Sequence, residues 1–205
     1  MGWYSKNVVP RIINVACGTK EVRAFRTRVI EGLTGEVLEI GFGSGHNVGL
    51  YPAAVTGVRA VEPSAVAWGL AAKRRAGSRV PIEQVGLRGE EIPIDVDSCD
   101  SALSTFSLCT IPDVAAALAE VHRVLRPGGT FHFLEHGLAP DTKVQRRQRR
   151  LEPLQERLFD GCHLTREPAE LVRAAGFEVR TVSSEYAKGP KPMAWFTVGV
   201  AVKPR

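Results

Sequence analysis

The residues with the most chemistry in this sequence are Glu39 and the three glycines after it in Glu39-Ile40-Gly41-Phe42-Gly43-Ser44-Gly45. The run is entered from Val37-Leu38 and left through His46-Asn47. Glycine at alternate positions lets a backbone approach a ligand where a Cβ would collide, and a helix beginning at His46 would aim free N–H groups at the same point. The pattern predicts a nucleotide-type cofactor site. Spacing narrows the choice, because a dinucleotide fingerprint puts its third glycine five positions after the first. Here His46 holds that position and Gly45 is the third glycine. A carboxylate two positions before the first glycine is unhelpful beside a pyrophosphate and suits a ligand carrying an ammonium and a sulfonium. S-adenosylmethionine is such a ligand, and S-adenosylhomocysteine is what it leaves after methyl transfer.

Glu62 adds to this reading. It follows the strand-like Val58-Arg59-Ala60-Val61 and stands twenty-one positions after Gly41, where a carboxylate can accept hydrogen bonds from both ribose hydroxyls. Pro63 is placed to lie against the adenine face.

With these motifs in place, residues 35 to 202 resemble the class I S-adenosylmethionine-dependent methyltransferases of the type 11 pattern. Leu125-Arg126-Pro127-Gly128-Gly129, leading into Thr130 to Glu135, is part of the match. A closer resemblance lies in Leu134-Glu135-His136 and in Leu158-Phe159-Asp160-Gly161-Cys162-His163-Leu164-Thr165-Arg166-Glu167. It points to the methyltransferase-like group that contains the animal alkyl-thiol methyltransferases and bacterial members. The resemblance implies a Rossmann-like α/β fold, with a seven-stranded, mostly parallel sheet, an antiparallel C-terminal hairpin and helices on both faces. It implies that Glu39, Gly41, Phe42, Gly43, Gly45, Asn47, Glu62 and Pro63 line the cofactor. Leu87, Arg88 and Gly89 form its adenine end, and Thr105 and Phe106 its methyl end. Many family members carry Asp where Arg88 stands; an arginine cannot accept from the adenine amino group, so Leu87 over the ring and the Gly89 N–H are expected to replace that contact. A Phe106 ring near the sulfonium would attract it.

The elements that must position these groups alternate. Strand-like runs at 36 to 40, 57 to 62, 80 to 85, 99 to 106 and 130 to 135 are separated by helical or turn segments, as a parallel α/β sheet requires. Helix 113 to 125 has Asp113 as N-cap, Val114, Leu118, Val121 and Leu125 on one face, and Pro127-Gly128-Gly129 as a stop. Phe177 to Glu185 and Trp195 to Val202, joined through Lys188 to Pro192, read as an antiparallel edge pair. One domain over 1–205 is expected, with 1–34 a helical preface able to serve as a lid, or packed on a sheet flank, and 35–205 the core. Trp3 and Tyr4 are weak candidates for the substrate pocket.

Methyl transfer is an in-line displacement from an activated donor, and orientation in a dry site supplies up to about 7 to 11 kcal/mol. A base matters only for an acceptor protonated at neutral pH, and histidine can take such a proton. His136 at the end of the fifth strand, and His163 with Asp160 in the following loop, are the candidates. His122 and His132 read as structural, and His46 as the start of the first helix.

The chain has 205 residues, 44% of them hydrophobic, enough for a full core without disulfides or metals. The cysteines at 17, 99, 109 and 162 are scattered with no C-x-x-C, so no metal site is expected, and Cys99 and Cys109 read as small buried apolar groups. The animal relatives start with a membrane-anchoring helix. Before Gly35 there is no comparable apolar run, and Met193 to Val202 is too short to span a bilayer, so a cytoplasmic protein is expected. The net charge of +5 draws attention to Lys143 to Arg150. On a helix, Val144, Leu151, Leu154 and Leu158 would face inward and the basic residues outward, solvated or in weak contact with an anionic membrane surface. Without interleaved aromatics, nucleic acid is not expected as a partner. The resulting expectation is methyl transfer to a small apolar acceptor at a thiol or a phenolic or hydroxyl oxygen. The alternatives are N-methylation of a lipid amine such as phosphatidylethanolamine, and S-adenosylmethionine binding without turnover.

Overall fold

A strand whose residues Val37, Leu38, Glu39 and Ile40 are all buried must lie inside a sheet covered on both faces. That strand is β1 (Gly35–Ile40) in a computed structural model describing residues 2–205, so Met1 of the expected span lies outside the described residues. Three helices precede it: α1 (Trp3–Asn7), α2 (Val9–Ala16) and α3 (Lys20–Ile30). Then follow β2 (Val55–Val61), α4 (Ala65–Leu70), α5 (Ala72–Ala76), β3 (Ile82–Gly86), β4 (Cys99–Thr105), α6 (Val114–Val124) and β5 (Leu125–His136). The chain closes with α7 (Thr142–Leu158), α8 (Pro168–Ala174), β6 (Glu178–Tyr186) and β7 (Trp195–Val202).

The seven strands lie in the order β3-β2-β1-β4-β5-β7-β6, parallel except for β7, which runs antiparallel to both β5 and β6. This is the expected sheet. Helix starts are held by side chains: Thr19 accepts from the Val22 N–H, Ser64 from Ala67 and Asp113 from Ala116. On one face, Val29, Ile30 and Leu33 pack with Val37 and Leu103; on the other, Leu118 and Val121 pack with Leu38, Phe131 and Phe133. Strand order reverses between β1 and β4, and a doubly wound sheet binds its ligand in the crevice outside the carboxyl ends at that point. The glycine turn after β1 and Thr105-Phe106 after β4 meet there.

Two expectations need correction. No α-helix starts at His46: the glycine turn runs into a single 3-10 turn, Val48–Leu50, so helix N–H groups are not aimed at the site. In α7 the buried residues are Val144 and Gln148, while Leu154 is 54% and Leu158 38% exposed. Gln148 holds its place by donating to the Gly137, Leu164 and Pro192 carbonyls and accepting from the Ala139 N–H. The amide tethers α7 through three loops, and the inward face follows those bonds instead of the leucines.

Candidate functional site

Each glycine of the turn has a different physical task. At Gly41, φ is +69° and a Cβ would stand 1.9 Å from Ser107 Oγ, so only glycine lets the turn meet the segment after β4. At Gly43, φ is +59° and the nearest heavy atom to a Cβ would be 3.9 Å away, leaving that side of the backbone open. The Gly43 N–H donates to Glu62 Oε2 at 2.6 Å, and the Ser64 N–H donates to Glu62 Oε1 at 2.7 Å. Glu62 is buried at the end of β2; burial raises its pKa against the lowering effect of the two amides. Each of its oxygens keeps a lone pair for a further donor.

Glu39 is fully buried. It accepts from Tyr51 Oη at 2.5 Å and Asn47 Nδ2 at 2.8 Å. Burial pushes its pKa up to about 7, opposed by the Tyr51 and Asn47 hydrogen bonds and by the Arg26 charge. Asn47 in turn accepts from Arg26 Nη1 at 2.9 Å, which also donates to Thr105 Oγ1 at 2.7 Å. The Arg26 guanidinium lies 5.6 Å from the Phe106 ring centroid. Phe106 itself sits at φ +57°, a strained conformation for a non-glycine residue. Sequence reasoning placed Asn47, Thr105 and Phe106 at the site, and the structure brings them together. It missed Arg26 and Tyr51, which link them. No signal marked Arg26, since Arg23 and Arg28 flank it on the same helix and only the fold buries one of the three.

Above the turn, His46 does not start a helix. Its Nε2 hydrogen-bonds the Asn14 carbonyl at 2.9 Å, so the ring reaches from the turn to α2. Burial and the nearby Arg26 and Arg74 charges lower its pKa to about 4, which keeps it neutral. At the expected adenine end, Leu87 is exposed, Arg88 is 70% exposed by side chain with its Nε 3.8 Å from Glu90, and Pro63 is exposed. Gly89 is buried against Ile111 and Ala117.

The acceptor-side candidates separate. His163 Nδ1 lies 3.2 Å from Glu152 and 3.1 Å from Glu156 on α7, so its carboxylate partners are these two and not Asp160, which corrects the expected pairing. Asp160 turns the chain at φ +54°. His136 points elsewhere: its Nε2 is 3.0 Å from Cys162 Sγ, and Cys162 Sγ is 3.8 Å from Cys109 Sγ. The cysteines that looked unrelated in sequence are neighbours here. The sulfur–sulfur contact with Cys109, then the His136 contact, holds Cys162 below the usual thiol range against the effect of burial. Burial opposes charge on His136, but Cys162 together with the Glu135 and Glu152 charges outweighs it and raises its pKa. The His136 and Phe106 rings lie 6.5 Å apart, and Phe106 meets Phe196 edge-on at 5.0 Å. Phe196 lines a cleft of about 440 Å³ between Ala16, Thr19 and Val22 on one side and Lys188, Pro190 and Met193 on the other.

The residues present fit S-adenosylmethionine. Gly43 offers an open backbone face beside Glu62. Glu39 is a buried carboxyl beside the turn, held by Tyr51 and Asn47 with the Arg26 charge near it. The comparisons agree with this chemistry. The family pattern described as "Methyltransferase domain" matches residues 38–133. The crystal structure of a methyltransferase candidate from Bacillus halodurans C-125 superposes with a TM-score of 0.73 at 15% identity, over 89% of this chain and 99% of that one. Fold and site thus define a Rossmann-like methyltransferase. Thiol S-methyltransferase TMT1B of Rattus norvegicus is 35% identical over 83% of this chain and 70% of its own length. Thiol S-methyltransferase TMT1A of Homo sapiens is 35% identical over 82% and 70%. The chain belongs to the class I S-adenosylmethionine-dependent methyltransferases, in the group that holds these two relatives.

Proposed function

We propose that this enzyme methylates the sulfur of a small, apolar thiol. When bound, S-adenosylmethionine supplies a methyl group already activated by a sulfonium. The chain's part is to hold and orient. Glu62 takes the ribose hydroxyls while anchored by two amides, Glu39 offsets the ammonium, and Leu87 and Gly89 cover the adenine end. Phe106 and Phe196 keep the methyl end dry. His136 and the loop from Asp160 to Arg166 form the wall opposite, on the acceptor side.

The observation that carries the reading is the unbroken chain of neighbours from the cleft through Phe196 and Phe106 to His136 and Cys162. These packed side chains link the cleft to a group of sulfurs, surroundings that suit an apolar acceptor with a thiol head. Kinship with thiol S-methyltransferases supports it. A thiol with a pKa near 8.5 is a few per cent ionised at neutral pH and needs only modest help. The second reading, N-methylation of a lipid amine, is favoured by the exposed cations Lys143, Arg146, Arg147, Arg149 and Arg150 on α7, which suit an anionic membrane. Formation of S-adenosylhomocysteine with a panel of alkyl thiols, phenols and amines tests both. Thiols are expected to turn over, with rates rising with pH as each thiol ionises. Turnover of amines or phenols alone would overturn the thiol reading.

A further inference from the structure

Cys109 follows β4, His136 ends β5 and Cys162 lies between α7 and α8, yet their donor atoms converge within 4.8 Å of one another. The two sulfurs are 3.8 Å apart, and His136 Nε2 is 3.0 Å from Cys162 Sγ. A tetrahedral zinc ion with zinc–sulfur bonds of about 2.3 Å and a zinc–nitrogen bond of about 2.0 Å sets edges of roughly 3.8 Å between sulfurs and roughly 3.5 Å between sulfur and nitrogen. The sulfur pair already stands at the metal-site edge, and the imidazole needs to withdraw by about half an ångström to match.

The surroundings suit a cation. Both cysteines are buried, at 2% and 5% exposure. Two thiolates would balance a divalent charge and leave the buried site neutral. Within hydrogen-bond reach His136 Nε2 has only the Cys162 sulfur, so that nitrogen is directed at the cluster. The scaffold is fixed independently of the three donors. The His163 N–H donates to the Cys109 carbonyl at 2.8 Å, tying the two cysteine loops together. Arg166 donates to the Ile111 carbonyl at 2.9 Å and to that of Leu108, and the Leu164 N–H donates to Glu152 at 2.9 Å.

We propose that Cys109, His136 and Cys162 form a three-ligand site for a thiophilic divalent cation, zinc foremost, whose fourth position receives the acceptor thiol. Three protein donors leave the fourth tetrahedral position to a ligand from outside the chain, the ligand count of catalytic zinc sites. The role of the fourth position rests on the thiol reading above. There the acceptor gives its S–H proton to water on joining the cation, since a coordinated thiol is deprotonated. Its sulfur lone pair then forms the bond to the methyl carbon. The bond from that carbon to the sulfonium sulfur breaks, its electron pair stays with S-adenosylhomocysteine, and the neutral thioether leaves the cation.

The test is cobalt(II) titration of the whole protein, reduced and stripped with a chelator, followed by visible absorption. One equivalent is expected to give tetrahedral bands with thiolate charge transfer, and an alkyl thiol to shift them. Cys109→Ser and Cys162→Ser should each weaken binding by roughly 100-fold or more, beyond what loss of an outer-shell partner costs. Cys99→Ala should leave the spectrum intact. Absence of these bands in the reduced protein overturns the site, as does the same spectrum in both serine variants, or a Cys109–Cys162 disulfide that replaces cation binding in protein purified without oxygen. Full-rate thiol methylation by the metal-free protein would remove the cation's role and leave the thiol reading standing. Cobalt bands without methylation of any thiol would leave the site standing and end that reading.

Discussion

Glu39 carries its proton into the pH range where an exposed glutamate has lost it. Its pKa lies at about 7 in the folded chain against the usual 4.5, because burial outweighs the bonds from Tyr51 and Asn47. Between those values the folded state binds the proton and the unfolded state does not, so stability falls as pH rises from about 4.5 through about 7. The shift corresponds to about 3 kcal/mol on the order of 1.4 per unit. Denaturant melts of Glu39→Gln should therefore gain on the wild type by an increasing margin across that window and level off above it. A constant difference from pH 4 to 8, a range set roughly around these two values, would show that Glu39 does not titrate there. Glu39, Glu62 and the glycines were legible because cofactor chemistry fixes their type and spacing. Arg26 and Tyr51 were not, since an arginine on a charged helix and a tyrosine after a turn look like surface until the tertiary fold encloses them.

At the scale of elements, the glycine turn separates structure from binding. Gly41 is pressed against Ser107, whereas Gly43 faces open space, though both have positive φ. Gly41→Ala should destabilise the fold by several kcal/mol, because backbone and side chain must move apart. Gly43→Ala should cost only about 1 kcal/mol of stability, the cost of a left-handed non-glycine residue, and should weaken S-adenosylmethionine through the methyl group it places on the open face. Paired melts and calorimetric titrations check this, and equal loss of stability in the two variants would sink the distinction. The strands other than β5, and α6, were legible to within a residue or two because alternation and capping are local signals; β5 begins at Leu125, five residues before the expected Thr130, since the Leu125 to Gly129 segment read as helix end and stop already runs as strand, with Leu125 paired to Cys99. The helix expected at His46 was not formed: Asn47 turns inward to Glu39 and Arg26 instead of capping, and His46 reaches for Asn14. Cys109 and Cys162 come from segments fifty-three residues apart, and only strand order could bring them together.

At the scale of the whole molecule, the +5 charge is not evenly spread. The α7 cations are exposed, and so are the apolar Trp3, Ile12 and Val15 of the N-terminal helices. Among the described residues no helix is long and apolar enough to cross a membrane. We propose surface contact with anionic lipid on these features, each cation contributing about 1 kcal/mol at low salt. Co-sedimentation with phosphatidylserine vesicles should be strong at low salt and be lost in the Arg146→Glu, Arg147→Glu, Arg149→Glu, Arg150→Glu variant. Equal binding to neutral phosphatidylcholine vesicles would refute an electrostatic origin. The sheet order carries a consequence for synthesis. β7, the last strand made, lies between β5 and β6 and brings Phe196 to the cleft. A chain emerging N-terminus first, at about 5 to 20 residues per second, can assemble the glycine turn while β5 still has an open edge and β6 has nothing to pair with. The nascent enzyme would hold its methyl donor before β7 arrives to set Phe196 against Phe106 at the methyl end.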